Sequence, residues 1–173
     1  MKPRTVEEAK VVADVMTRSV VTLYEEDDLE NIDEAMEKFR FRHVPVVDDG
    51  KLVGLVTRSD LRGISSSRLD PTGPIRDEAL RKRTFVRDVM TTDVRTVHPD
   101  TPILEAARLM RDAKIGCLPV VVADDALVGI ITSTDMLDLI ASWLDQRERE
   151  NRETMPARRL PIPRPRPRTT VTH

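Results

Sequence analysis

Two four-residue strings carry the side chains best suited to chemistry in this chain: Thr57-Arg58-Ser59-Asp60 and Thr132-Ser133-Thr134-Asp135. Each starts where a β-branched run passes into a helix-prone one. Its hydroxyls therefore stand beside the N–H groups of a helix start, a place that favours an anion such as phosphate. The aspartate three residues on presents two acceptor oxygens, which match a pair of neighbouring hydroxyls on a ligand. Ser or Thr followed three residues later by an acid is also a capping box, worth ~1 kcal/mol to a helix start without any ligand. One residue can cap and bind. Arg58 adds a phosphate-binding cation to the first string that Ser133 does not supply to the second. No nucleophile elbow, P-loop or pair of catalytic carboxylates accompanies them, which argues against an enzyme. The histidines, His43, His98 and His173, are scattered, and Cys117 has no His or Cys near it, so no metal-ligand spacing arises.

Both strings close a repeated unit. Residues Val12 to Leu61 read VADVMTRSVVTL…RFRHVPVVDDGKLVGLVTRSDL, and Val86 to Met136 answer with VRDVMTTDVRTV…KIGCLPVVVADDALVGIITSTDM. About sixteen of fifty aligned pairs are identical, too many for chance in so polar a chain. Each unit opens on a strand-like stretch, Val20 to Leu23 or Val94 to Val97. An amphipathic helix follows, with a stripe of Leu29, Ile32, Ala35, Met36 and Phe39, or of Ile103, Ala106, Ala107, Met110 and Ala113. Two β-branched runs come next, Val44 to Val47 and Leu52 to Val56, turning at Asp48-Asp49-Gly50-Lys51. In the second unit Asp124-Asp125 takes the turn, one residue longer and without the glycine. A helix then begins near Ser59 or Thr134. The first is cut short near Gly63; the second runs on through an apolar face of Met136, Leu137, Ile140, Ala141 and Leu144 with Trp143 beside it, then turns wholly polar.

The predicted class is α+β, a β-α-β-β-α unit twice over, packed about a pseudo-twofold axis. The expected organisation is a first repeat over 10–68, a linker over 69–84, a second repeat over 85–146, and a polar helix end and tail over 147–173. The linker carries Pro71, Gly73 and Pro74 and a short helix-prone run from Asp77 to Arg83. The tail, rich in Pro and Arg, is expected to be extended and disordered. Fifty residues bury little surface alone, so the halves are expected to share a core.

Composition narrows the function. One cysteine excludes an internal disulfide and fits a reducing compartment. No apolar run approaches the ~20 residues of a membrane span, and the first residues lack a signal-peptide core, so a cytoplasmic location is expected. The net charge of −2 hides an asymmetry. Setting aside the five arginines after Thr154 leaves 23 basic against 30 acidic residues, about −7 over residues 1–153. An acidic body with three Phe, one Tyr and one Trp is a poor nucleic-acid platform.

DVMT at the start of each unit, the hydrophobic-Pro-Val-Val segment, and GLVTRSD and GIITSTD at the ends resemble tandem cystathionine-β-synthase-type (CBS) domains, a pair called a Bateman module. The likeness covers Val12 to roughly Leu144 and omits the tail. It implies a regulatory module that binds AMP, ADP, ATP or S-adenosylmethionine, with or without Mg²⁺, in two clefts between the repeats. It also implies a homodimeric disc of four repeats and an effector protein that reads the bound state. In the family each cleft joins the Thr/Asp end of one repeat to the pre-proline wall of the other. One cleft would join Thr57, Arg58, Ser59 and Asp60 to Thr96, Thr101, Cys117 and Leu118; the other Thr132, Thr134 and Asp135 to Thr22, Asp27, Arg42, His43 and Val44. The carboxylates would take the ribose hydroxyls and the pre-proline residues would wall the adenine. Glu25-Glu26-Asp27-Asp28 are expected to repel a polyphosphate in the second cleft, offset only in part by Arg40 and Arg42, which makes the Asp60 cleft the tighter. The alternatives are a dimerisation or adaptor protein with vestigial clefts, and a redox or metal sensor using Cys117 and His43, which share one repeat position.

Overall fold

The structure, a computed structural model, describes residues 9–30, 32–63 and 83–154. The helices are α1 (Val12–Val15), α2 (Ile32–Lys38), α3 (Arg58–Gly63), α4 (Ile103–Ala113) and α5 (Ser133–Thr154). The strands are β1 (His43–Asp48), β2 (Lys51–Thr57), β3 (Cys117–Val121) and β4 (Leu127–Thr132), with 3-10 turns at Val86–Asp88 and Ala123–Asp125. The architecture is α+β. Most of the expected linker, with its short helix, and the Pro/Arg-rich tail lie outside the described residues.

Each repeat is built on one antiparallel hairpin, β1–β2 or β3–β4, with a register shift at the equivalent place, Val46/Val47 and Val120/Val121. Asp49 (φ 46°) and Gly50 (φ 78°) give the first turn two left-handed residues in succession. That turn follows the twist of the strands it joins, and glycine enters it without a Cβ penalty. The second turn has no glycine, so Asp124 (φ 58°) and Asp125 (φ 59°) take up the left-handed conformation, which Asp tolerates better than most residues.

The stretches Val20 to Leu23 and Val94 to Val97 do not form the expected strands. Each contributes a single parallel bridge, Leu23 to Val46 and Val97 to Val120. Leu23 N–H donates to the Pro45 carbonyl (3.0 Å) and Val47 N–H to the Leu23 carbonyl (2.9 Å); Val97 repeats this with Pro119 and Val121. The next rung back would require an N–H from Pro45 or Pro119, and proline has none. The prolines end the ladder after one rung.

Among the described residues the buried side chains form two cores rather than the expected single shared one, and each is completed from the other repeat. One holds Leu29, Ile32, Met36, Val44, Val46, Val56 and Leu61 of the first repeat together with Val86 of the second. The other holds Val97, Ala106, Met110, Leu118, Val120, Ile131 and Leu139 together with Ala9, Val12, Val15 and Met16 from the chain's beginning. Val12 and Val86 occupy the same repeat position, and both are fully buried.

This exchange accounts for the most repeated residues. Asp14 caps its own turn, accepting from Lys10 N–H (2.9 Å) and Val11 N–H (3.0 Å), and Asp88 accepts from Phe85 N–H (3.1 Å). Met16 lies over Gly129, where a Cβ would come 2.8 Å from its Sδ, and Met90 lies over Gly54 at 2.5 Å. Thr17 and Ile130 exchange both backbone hydrogen bonds at 2.9 Å, as do Thr91 and Leu55. The DVMT of each repeat is thus a clasp on the Gly-containing strand of the other.

Two apolar stripes are only partly buried. Phe39 is 65% exposed and stacks on Phe41, with ring centroids 6.2 Å apart, instead of entering the core with Met36. On α5 the predicted apolar face turns outward: Leu137, Ile140 and Leu144 are exposed, while Leu139 reaches the core and Met136 packs beside it. The polar stretch after Asp145 stays helical to Thr154, with Arg147 4.9 Å from the Trp143 ring and Gln146 bonded to Glu150.

Candidate ligand-binding cleft

Each hairpin passes directly into a helix, and that junction shapes the site. The Thr57 N–H and hydroxyl both donate to Asp60 Oδ2 (2.8 Å each), and Ser59 N–H donates to Thr57 Oγ1 (3.2 Å). Thr132 N–H and hydroxyl donate likewise to Asp135 Oδ2 (2.9 and 2.7 Å). Both strings are capping boxes. The next amides are also engaged: Arg58 N–H donates to the Arg42 carbonyl (3.0 Å) and Ser133 N–H to the Gly116 carbonyl (2.9 Å). The pre-proline segment of each repeat is therefore tied to the helix start of the same repeat. The N–H groups of Thr57 to Asp60 all have protein partners, as do those of Thr132, Ser133 and Asp135, so an anion here must be held mainly by side chains.

Between the repeats lies a continuous cleft of about 1190 Å³. Thr57, Arg58 and Ser59 of the first string line it, as do Thr132, Ser133, Thr134 and Asp135 of the second. Arg42, His43 and Cys117 line it from the pre-proline segments. The two half-sites meet at the middle, where a Cβ on Gly116 would come 3.1 Å from His43 Nε2. His43 thus approaches Gly116 across the repeats. Burial, joined by the neighbouring Arg42 charge, holds the His43 imidazole below its ordinary pKa, against an opposing pull from Asp60.

The other expected site residues lie behind the cleft wall or away from it. Asp60 is half-buried and bonded to Thr57, whereas Asp135 is only 8% exposed yet lines the cleft. The side chains of Val44 and Leu118 are buried in the two cores. Thr101 closes a turn, accepting from His98 N–H at its hydroxyl (3.0 Å), while its carbonyl accepts from Val12 N–H (2.9 Å). Thr22 and Thr96 are half-buried and outside the lining. The acids Glu25 to Asp28, expected to crowd the second half, do not line it either. The Asp27 carbonyl accepts from Val86 N–H (2.9 Å) and the Glu25 carbonyl from Arg87 N–H (3.1 Å), which turns that loop toward the 3-10 turn. One of the two grounds for ranking the Asp60 half tighter is thereby removed; the other, the Arg58 cation, does line the cleft.

The lining holds Arg40, Arg42, Arg58, Arg62, Arg95 and Lys114 against two carboxylates, Asp93 and Asp135. Arg58 shares its charge with Glu37 at 3.5 Å. Arg62, Arg95 and Lys114 escaped sequence reasoning. Lys114 precedes the pre-proline wall by the spacing that places Arg40 in the first repeat, which is a usable signal. Arg95 sits in a stretch read as a strand and gave none. A separate apolar pocket of about 190 Å³, lined by Val21, Leu23, Ile32, Ala35, Phe41 and Val44, shares Val21 and Phe41 with the cleft. Cys117 is buried, and burial pushes its thiol up to about 12, far from a reactive thiolate.

Comparison with known proteins places this geometry in context. The pattern of the CBS domain matches residues 12–67 and 86–142. A CBS domain-containing protein of Dictyostelium discoideum is 33% identical over 137 residues, 78% of this chain and 94% of that one. A homoserine O-acetyltransferase of Methanococcoides burtonii is 37% identical over 130 residues, but the chain spans only 24% of its length. Among solved structures, CBSX2 in complex with AMP is 29% identical with a TM-score of 0.64, over 76% of this chain and 96% of that one. The CBS domain pair of protein MJ0100, in complex with 5′-methylthioadenosine and S-adenosyl-L-methionine, is 26% identical with a TM-score of 0.62, over 76% and 95%.

Proposed function

The chain belongs to the CBS domain family and carries two of its domains in tandem, and from that premise we propose that it is a regulatory sensor of adenine nucleotides. The ligand lies in the cleft between the repeats, and an effector protein reads the resulting change. One observation carries the reading. A single cleft collects Thr57, Arg58 and Ser59 of one string, Thr132, Ser133, Thr134 and Asp135 of the other, and His43 and Cys117 from the two pre-proline segments. Solved pairs of the same fold were crystallised with AMP, and with 5′-methylthioadenosine and S-adenosyl-L-methionine. For the ligand to act, the two states of the module must differ in affinity for it. We assign direct contact to Thr57, Arg58, Ser59, Arg42, His43, Cys117, Thr132, Thr134 and Asp135, and a supporting role to Asp60.

Thermal melting tests this. Ligand at a hundred times its Kd stabilises the fold by about 2.7 kcal/mol, which raises Tm by a few degrees in a domain of this size. AMP or ATP at millimolar concentration is expected to give such a rise. Asp135→Asn keeps the shape of the carboxylate but weakens its acceptor strength, and is expected to abolish most of the rise while lowering the unliganded Tm only slightly. An unchanged melt with both nucleotides sinks the reading and leaves an adaptor.

The same reading includes a homodimer and a cytoplasmic location, where adenine nucleotides are plentiful. No helix among the described residues is long and apolar enough to cross a membrane. Leu137, Ile140 and Leu144 form an exposed apolar row on α5. A second copy of this chain covers that row in the proposed assembly. Ile140→Glu with Leu144→Glu is expected to convert the dimer to monomer in light scattering without a loss of helical signal.

A further inference from the structure

We infer that the cleft selects its ligand by charge: it takes a nucleoside polyphosphate free of Mg²⁺, in preference to AMP or S-adenosylmethionine. This rests on the sensor reading for the adenosine end of the ligand and adds what the other end must be. The chain outside its tail is acidic, about −7 over residues 1–153, yet six cationic side chains line this cleft against two carboxylates. Positive charge is gathered in a large concave site of an acidic body. It is contributed from both repeats: Arg40 and Arg42 with Arg58 and Arg62 from the first, Arg95 and Lys114 from the second.

Three consequences follow from the chemistry. An α-phosphate alone uses few of those cations, so like charges in the cleft are relieved further with each phosphate added. S-adenosylmethionine carries a sulfonium cation and brings no phosphate, so the same charges disfavour it. Mg²⁺ removes two units of negative charge from a triphosphate and needs oxygen ligands of its own. Of the two lining carboxylates, Asp135 already accepts two hydrogen bonds from Thr132 at Oδ2, which leaves the exposed Asp93 as a single carboxylate beside six cations. The arginines and lysine therefore perform the neutralisation that Mg²⁺ performs elsewhere. Val21 and Phe41, shared by the cleft and the apolar pocket behind it, offer the face of the base an apolar surface and leave the cationic stretch to the phosphates.

Calorimetric titration of the full chain with AMP, ATP, inorganic tripolyphosphate and S-adenosylmethionine decides it, each at low and high salt and with or without excess Mg²⁺. The expected result is ATP at least about tenfold tighter than AMP at low salt, a gap that shrinks in high salt and in excess Mg²⁺. Arg95→Gln with Lys114→Gln, both exposed, is expected to close the gap while AMP binding changes less than about twofold. Equal affinity for AMP and ATP overturns the inference and leaves the sensor reading intact, and so does tightening by Mg²⁺. Binding of tripolyphosphate with no response to any adenine nucleotide supports the charge selection and overturns the sensor reading instead.

Discussion

Removing residues 9–17 is expected to unfold the second repeat before the first. Ala9, Val12, Val15 and Met16 are buried among Leu118, Val120, Ile131 and Leu139, more than eighty residues away in sequence. Full burial of a Val or Met side chain contributes ~1.5–3 kcal/mol, so the deletion removes on the order of 5 kcal/mol or more. A domain's whole stability is about 5–15 kcal/mol. The truncation also strips the backbone bonds from Val12 N–H to the Thr101 carbonyl, from Ile103 N–H to the Lys10 carbonyl, and between Thr17 and Ile130. Hydrogen exchange reads the outcome residue by residue. Amides of β3 and β4 should lose protection strongly, and those of β1 and β2 much less. Val12→Asp places a carboxylate at a fully buried position and should give the same pattern within an intact chain. Equal loss in both hairpins would mean that the exchanged segment does not belong energetically to the second repeat.

That asymmetry was not legible in the sequence, and the reason is physical. A repeat in sequence marks what is copied, not what is packed together. DVMT precedes Val20-to-Leu23 along the chain, so it reads as part of the first unit. Only its contacts with Gly129 and Ile130 reveal the exchange. The hairpins were legible because Asp49-Gly50 and alternating β-branched residues act locally. The capping boxes were legible for the same reason, since Thr57 and Asp60 are three residues apart. The short parallel rungs failed as strands because Pro45 and Pro119 withhold the N–H that a neighbouring segment would need, an effect exerted through space. For the site, Thr57, Arg58, Ser59, Arg42, His43, Cys117, Thr132, Thr134 and Asp135 all line one cleft. Arg40, Arg42 and Arg58 of the cationic lining were visible in advance, but Arg62, Arg95 and Lys114 were not, because the side chains that compose it are spread over some seventy-five residues and come together only when the repeats pack.

Gly129→Val is expected to lower stability by about 3 kcal/mol, towards the upper end of what overpacking costs. A Cβ at this position would stand 2.8 Å from Met16 Sδ and 3.0 Å from the Thr17 carbonyl oxygen. The sulfur can swing away; the carbonyl cannot, because it accepts from Ile130 N–H at 2.9 Å in the two-bond bridge that fastens the repeats. The equivalent Gly54→Val should cost less, since its closest contact is the movable Met90 sulfur and the Thr91 carbonyl lies 3.2 Å away. Denaturant melts of both variants check the order. Met16→Ala in the Gly129→Val background should recover only part of the loss, and full recovery would assign the clash to the sulfur alone.

The exchanged clasps also decide when each half can fold during synthesis. The first repeat is complete in sequence well before Val86 is made, yet Val86 belongs to its core. Its core is incomplete until the next unit has begun to emerge. The second repeat, by contrast, finds its missing segment already waiting at the start of the chain. A single copy of this unit could close its core only by lending its opening segment to another copy and borrowing that copy's in return. The duplicated chain is such a reciprocal pair joined by a peptide link, and the link makes the loan intramolecular. Each half then meets its partner at an effective concentration fixed by the linker rather than by the cell.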